Sequence, residues 1–140
     1  MVPGYIFRVI GLLAVVVPAA AEDSPVKETV RIELNTAQPA ENRCRLNFVL
    51  ENKLSTNIGE LKLDLVFFNP EGIIHLRTVF EMGPLPAGRT RVRTWPIDTT
   101  CAQIGSVLVN DISPCVPDKP DACFEGLQLS SKVPNVRLYK

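Results

Sequence analysis

The sequence predicts an all-β domain: a single antiparallel β-sandwich of immunoglobulin-like type with six or seven strands. Apolar and polar residues alternate over several short runs, which is typical of half-buried strands. Gly, Pro and Asn separate these runs at short intervals, as turns between strands do. No amphipathic run is long enough to predict a substantial helix. A small closed barrel is the alternative architecture.

The clearest element is a β-hairpin over residues 60–80. Its first half alternates strictly, and residues 69–72 (Asn-Pro-Glu-Gly) then form a predicted turn. A hairpin alone is marginal in water, so other strands must cover its apolar face. The predicted core face is Leu61, Leu63, Leu65, Phe67, Ile74, Leu76 and Phe80, facing Leu46, Phe48, Leu50 and Val92.

The remaining strands follow from the same alternation. They are predicted at residues 29–34, 43–51, 89–95, 106–112 and 124–129. Residues 35–42 around Pro39 and residues 113–120 with three prolines are predicted as loops, and residues 133–140 as a loose tail. Pro96 is expected to end the fifth strand because proline has no N–H to give to a ladder.

The N-terminus has the three parts of a secretory signal peptide. Arg8 precedes an unbroken apolar run at residues 9–17, and small residues follow up to Ala21. We therefore expect a signal peptide at residues 1–21 and a sandwich domain at residues 22–140. Retention of the segment as an uncleaved anchor is the alternative, and membrane contact is expected only in that case.

Composition and net charge bear on the classes of partner that the chain can bind. The 140 residues are 46% apolar, and 15 basic residues balance 15 acidic ones, giving a formal net charge of zero. Neutrality gives no indication of nucleic acid or of an anionic membrane surface as a partner. The expected location is the periplasm or the exterior, and no cofactor or metal is expected.

The four cysteines are predicted to form two disulfides, since an even count in an exported chain of this size is typical of them. Strands that reverse direction at each connection would place Cys101 beside Cys44 at one end of the domain. Cys115 and Cys123 would then lie together at the other end. Bridged residues need Cα atoms about 4.4–6.8 Å apart. The expected pairs are therefore Cys44–Cys101 and Cys115–Cys123.

Several segments also resemble a known group of proteins. They are Cys44, Leu50-Glu51-Asn52, residues 61–67, Gly72, residues 84–88, residues 101–105, residues 109–112 and Cys115. In these segments the chain resembles a family of small exported bacterial proteins, labelled only hypothetical or Tat pathway signal proteins. More loosely, it resembles the FxLYD-type sandwich domains of bacterial envelope proteins, which share the Asn, the central Gly and the Pro-x-Gly. The resemblance implies a sandwich fold and export but no catalytic motif. A twin-arginine signal needs two adjacent arginines, and the N-terminal segment has only Arg8. Export by the general secretory route is therefore expected.

Motifs for catalysis are lacking in the sequence. His75 is the only histidine, the cysteines have no C-x-x-C spacing, and no nucleophile elbow or phosphate loop occurs. A surface position for His75 is the simpler interpretation than a general base. We therefore do not expect an enzyme.

The strongest local signal is a row of cations on the fifth strand. Arg89, Arg91, Arg93 and Trp95 share one parity, so they lie on one face. Such a face can bind an acidic partner or a glycan, although charged side chains also protect edge strands from aggregation. The function that the sequence favours is a non-enzymatic periplasmic or secreted sandwich that binds another envelope protein, as an accessory subunit of a complex. The alternative is a glycan- or anion-binding module that uses these four residues.

Overall fold

The chain folds into two packed β-sheets, seen in a computed structural model that describes residues 1–4, 11, 14–21 and 27–140. A short 3-10 turn at Cys101–Gln103 and a helix α1 at Pro120–Gly126 are the helical elements of the described residues. The strands are β1 Val30–Ala40, β2 Arg43–Asn52, β3 Glu60–Phe68, β4 Ile74–Glu81, β5 Thr90–Ile97, β6 Ser106–Val116, β7 Gln128–Ser131 and β8 Arg137–Tyr139.

Each sheet has four strands, and both sheets are mixed. The first has the order β5-β2-β1-β7 and the second the order β4-β3-β6-β8. The pairs β1–β7 and β6–β8 are parallel, whereas all other neighbours are antiparallel. The all-β sandwich is therefore confirmed. The expectation of purely antiparallel sheets and of six or seven strands is wrong, because the C-terminal segment adds a parallel strand to each sheet.

The core lies between the sheets and is built from alternating residues, as the period-two pattern predicts. Phe48 from the first sheet contacts Phe80 from the second in an edge-to-face arrangement, with ring centroids 6.1 Å apart. Of the predicted hairpin face, Leu61, Leu63, Leu65, Phe67 and Phe80 are buried and Leu76 is half-buried.

Ile74 departs from the predicted core face and is 65% exposed. The register between β3 and β4 shifts at Phe67 and Phe68, so Ile74 pairs with Phe68 and not with a core residue. A one-residue shift moves a side chain to the opposite face of a sheet. The prediction for Ile74 is therefore wrong for a reason that only the strand pairing reveals.

The first strand continues through the predicted loop at residues 35–42. Its register with β2 shifts between Leu34 and Thr36 and then continues to Ala40. Pro39 is tolerated because β7 pairs only with Arg31–Leu34, so the far side of the strand is open at that point. The loop prediction is wrong because it treats Pro39 as a breaker without reference to the neighbouring strand.

The C-terminal third is more regular than predicted. β6 extends to Val116, four residues beyond its predicted end, and pairs with β3 over that length. The predicted seventh strand at residues 124–129 is replaced by α1 followed by β7. The predicted loose tail contains β8, whose Leu138 is buried against the core. These short elements are fixed by tertiary contacts more than by local pattern.

Both disulfides form as predicted. Cys44 is bonded to Cys101 and Cys115 to Cys123, with Cα atoms 4.9 and 6.5 Å apart. The first links β2 to the 3-10 turn that follows β5, and the second links β6 to α1.

The predicted signal peptide lies only partly within the described residues. Residues 5–10, 12–13 and 22–26 fall outside them, and with them four of the nine residues of the apolar run and one side of the expected cleavage site. Nowhere in the described parts of the chain does a helix have the length and apolar content needed to cross a membrane.

Candidate functional site

The candidate site is the open side of the sandwich formed by β4 and β5. Within the described part of the chain, each is the end strand of its sheet and pairs with a single neighbour. The two strands lie on the same side of the molecule because Phe80 of β4 stacks on Trp95 of β5, with ring centroids 4.9 Å apart. Two sheet edges are therefore open next to each other.

Three residues of the predicted row lie on one face of β5, and the fourth, Arg89, directly precedes the strand. We call the row the arginine face: Arg89, Arg91, Arg93 and Trp95. In the antiparallel register, Arg93 pairs with Phe48 and Trp95 with Leu46. Since Phe48 and Leu46 are core residues, the arginine face points towards the other sheet and not away from it. Arg91 and Arg93 are accordingly half-buried, whereas Arg89 precedes the strand and is exposed.

Val92 is predicted to face the core and is instead 59% exposed. Trp95 and Ile97 share a parity opposite to that of Val92, and both pack on the core. A tryptophan buries roughly 150–250 Å², so it outweighs a valine in deciding which face turns inward. Arg91 and Arg93 have the same parity as Trp95, so their side chains also start on the inner face. Their long aliphatic stems allow the guanidinium groups to reach solvent at the edge.

Among the described residues, the guanidinium groups of Arg91 and Arg93 bond to backbone carbonyls alone. Arg91 donates from Nη1 to the carbonyl of Thr90 at 3.3 Å, and Arg93 from Nη1 to that of Val92 at 3.4 Å. Arg93 also donates from Nη2 to the carbonyl of Pro84 at 3.1 Å. The first two contacts are near the long limit for a hydrogen bond, so they hold the side chains weakly.

Some other arginines of the surface have carboxylate partners, whereas Arg45 and Arg137 have none among the described residues. Arg77 contacts Asp64 at 2.6 Å, and Arg43 contacts Asp98 at 2.8 Å. Among the described residues, no carboxylate lies within ion-pair distance of any guanidinium of the arginine face. The face therefore carries positive charge that the fold itself does not neutralise.

Trp95 is held from one side and lacks a polar partner. One ring face stacks on Phe80 with an interplanar angle of 13°. Its Nε1 is buried and, within the described part of the chain, has no hydrogen-bond partner. A buried indole N–H normally finds an acceptor. The ring thus anchors β5 to the core and leaves its one donor unused.

Sequence reasoning missed the apolar residues of the neighbouring edge. Ile73, Ile74 and Val79 are 64%, 65% and 59% exposed. Together with Val92 they place apolar surface around the two open strands. The sequence signal is present, since β4 has apolar residues at both parities, but that pattern also fits a buried strand.

His75, the single histidine of the chain, lies on β4 and so belongs to this open side. His75 contacts the hydroxyl of Thr99 through Nε2 at 2.7 Å. A surface cavity of about 550 Å³ at one end of the sandwich, near Asn69 and Asn135, is lined by neutral side chains. Across the described ranges, no group of three or more His, Cys, Asp or Glu residues is arranged to hold a metal ion.

Comparisons with known proteins bear on the fold alone. No family model matches the chain, and no curated protein matches it. The solved structure of IrmA from Escherichia coli is similar, with a TM-score of 0.53 and 14% sequence identity. The similarity covers 61% of this chain and 76% of the IrmA chain. At this identity the likeness supports the sandwich architecture and says nothing about activity.

Proposed function

We propose that this chain is a non-enzymatic, extracytoplasmic β-sandwich protein that binds another envelope protein at its open β4–β5 side, as an accessory subunit of a complex. The observation that carries the proposal is the arginine face, whose charges have no carboxylate partner among the described residues, at a sheet edge that nothing described covers. Exposed, unpaired strand edges are templates for pairing with another chain. Apolar residues beside a charged rim are typical of protein interfaces.

The covalent chemistry and the N-terminal sequence support the proposed location. Two disulfides form and persist in oxidising compartments outside the cytoplasm. The N-terminal residues have the composition of a secretory signal peptide. We propose export by the general secretory route, cleavage after Ala21, and an immunoglobulin-like variant of the sandwich.

A second candidate function is binding of a glycan or another anion. The unpaired guanidinium groups favour it, since arginine binds carboxylate, sulfate and phosphate groups with paired hydrogen bonds. Stacking of a sugar on Trp95 is less favourable, because Phe80 already occupies one face of the ring. Protein binding also uses the open strand and the exposed apolar residues, and for that reason we place it first.

Site-specific photo-crosslinking tests the proposed function. A photoreactive amino acid replaces Val92 at the open edge, and in a matched variant it replaces Asn110, which is exposed on the other sheet. After irradiation of cells that make the protein natively, we expect a discrete protein adduct from position 92. We expect none from position 110, and the position-92 adduct should disappear when Arg91 and Arg93 are changed to Glu.

Equal adducts at both positions, or an adduct at position 92 that is indifferent to the arginines, would contradict the proposed site. The glycan alternative is checked separately by the fluorescence of Trp95, the single tryptophan of the chain. A saturable change on titration with an anionic polysaccharide, without any protein adduct, would favour that alternative instead.

A further inference from the structure

The backbone of β5 presents to solvent a regular set of groups that bond to no neighbouring strand of the described residues. Asn52 N donates to the carbonyl of Arg89, while Lys53 N donates to Thr29 on the other side. Even-numbered residues of β2 therefore direct their backbone groups towards β5. Antiparallel pairing alternates residue by residue, so the partners Arg91, Arg93 and Trp95 bond to β2.

The other residues of β5 consequently point their N–H and C=O groups into the open edge. They are Thr90, Val92 and Thr94, all with exposed side chains. Pro96 belongs to the same set. A residue at this position directs its N–H away from β2, so a proline removes no bond to β2 and the strand continues to Ile97. The sequence-based expectation that Pro96 ends the strand is thus wrong. The position of Pro96 within the strand agrees with an open edge on the side away from β2.

The arginine side chains lie across this same edge. Both carbonyls that accept from Arg91 and Arg93 at 3.3–3.4 Å, those of Thr90 and Val92, belong to the open set. The guanidinium groups thus occupy hydrogen-bonding positions that an incoming strand would need. A carboxylate on the incoming strand can draw them aside, because a charge-assisted bidentate bond is stronger than a long bond to a neutral carbonyl.

We propose that the β5 edge binds an extended acidic segment of a partner protein, which adds to the sheet as a further strand. Its backbone bonds to Thr90, Val92 and Thr94, and carboxylates at alternate positions bond to Arg91 and Arg93. Alternate residues of a strand are about 6.6 Å apart on one face, which matches the spacing of the two arginines. This inference rests on the proposed protein-binding function and specifies the partner's chemistry.

Charge also decides against a second copy of this chain as the occupant. Pairing β5 with β5 of another molecule would bring two arginine rows together, and like charges placed opposite each other destabilise a sheet. An apolar or basic strand would have to displace the guanidinium groups without compensation. The edge is therefore selective, since it repels unsuitable strands and attracts acidic ones.

Calorimetric titration with short synthetic peptides tests the inference. The probe is an extended peptide in which Asp alternates with Val and Thr, and matched peptides carry Asn or Lys in place of Asp. We expect the Asp peptide to bind at least about tenfold more tightly than either matched peptide. In the double variant Arg91→Glu with Arg93→Glu, this preference should reverse towards the Lys peptide.

Two further measurements separate strand addition from general attraction of anions. Val92→Pro removes one free N–H of the same parity as Pro96, so the strand can keep its bonds to β2 while binding falls at least about tenfold. A peptide methylated at alternate backbone nitrogens provides the same test without altering the protein. As a charge control, the double variant Lys119→Glu with Arg137→Glu changes the net charge equally, outside the β4–β5 side, and should leave binding unchanged.

Three outcomes would overturn the inference. They are equal binding of the Asp and Lys peptides, full binding by the methylated peptide, and displacement of the Asp peptide by heparin with an affinity that Val92→Pro does not alter. If an adduct at position 92 persists while no acidic peptide binds, the strand-addition inference fails but the proposed protein-binding function stands.

Discussion

At the scale of single residues, Asn52 is the polar side chain on which the loops depend most. It is 1% exposed, and its Nδ2 donates to the carbonyls of Thr56 and Leu85 at 2.9 Å each. Its Oδ1 accepts from Leu54 N, also at 2.9 Å. One amide therefore satisfies three backbone groups from two loops.

Replacing Asn52 by Ala should lower the free energy of unfolding by roughly 2–4 kcal/mol, because three backbone groups lose their partner in a site that water reaches poorly. Urea denaturation of Asn52→Ala measures this loss. The exposed Asn42, in the turn before β2, supplies a matched control, since Asn42→Ala should change stability by about 0.5 kcal/mol or less. Equal effects of the two substitutions would show that the buried amide is not critical.

Asp64 and Arg77 form a second polar feature, on the outer surface of the second sheet. Arg77 donates from Nε to Oδ1 at 2.9 Å and from Nη2 to Oδ2 at 2.6 Å, and Asn110 donates to Oδ2 at 2.8 Å. These bonds, that of Arg77 above all, hold the pKa of Asp64 below its ordinary value of 3.8, although desolvation acts in the opposite direction. Since the folded-state pKa is the lower one, the pair stabilises the fold above the ordinary value. This contribution is lost as the pH falls through the lowered pKa.

The expected result is a pH-dependent effect of Arg77→Gln. The variant should be less stable than the wild type near pH 7, and the difference should shrink as the pH falls below roughly 4, where Asp64 becomes protonated in the unfolded chain. Denaturation curves for both proteins across this range measure the difference. If the difference in stability between the two proteins is the same at all pH values, Arg77 acts through packing and not through the carboxylate.

At the scale of elements, β5 has the most unusual distribution of side chains. Its inner face combines Trp95 and Ile97 with two arginines, whereas its outer face carries an exposed valine. The stack on Phe80 links this end strand to the end strand of the opposite sheet. The large ring therefore fixes the orientation of the whole element, including the arginines.

Two alanine substitutions on β5 test this orientation. Trp95→Ala should cost about 3–5 kcal/mol of stability, because it removes a large side chain packed against the core. Val92→Ala should cost about 0.5 kcal/mol or less, because its side chain is exposed. Thermal or urea denaturation of both variants measures the stability that each loses relative to the wild type. A larger cost at Val92 than at Trp95 would reverse the assignment of the two faces.

At the scale of the whole molecule, the two disulfides restrain very different lengths of chain. Cys44 and Cys101 are 57 residues apart, whereas Cys115 and Cys123 are 8 apart. On the chain-entropy account, closing the longer loop contributes about 4 kcal/mol and the shorter about 2.5 kcal/mol. The long-range bridge joins β2 to the segment after β5 and so restrains the first sheet.

Replacing Cys44 and Cys101 together by Ala should therefore lower the melting temperature more than replacing Cys115 and Cys123 together. Since each double variant retains one intact disulfide, calorimetric melting of both under non-reducing conditions gives the comparison. The opposite order would indicate that the short bridge, which ties α1 to β6, stabilises the fold mainly through native contacts.

Local pattern by itself determined much of this protein. Strict alternation and the turn at residues 69–72 predicted the hairpin of β3 and β4, and counting strand reversals predicted both disulfide pairs. These features depend on neighbouring residues and on strand direction, which the sequence encodes directly. The alternation on β5 also indicated, correctly, that Arg91 and Arg93 share a face with Trp95.

The inward face of β5 and the neighbours of each strand depend on long-range contacts that local pattern does not encode. Period two separates two faces but does not say which one is buried, and here the bulk of Trp95 outweighs Val92. A proline interrupts a ladder only where a neighbouring strand would need an N–H from that position. Pro39 and Pro96 both have their backbone nitrogens directed to open edges. The parallel strands β7 and β8 are likewise set by long-range pairing, because a strand of three or four residues has little pattern of its own.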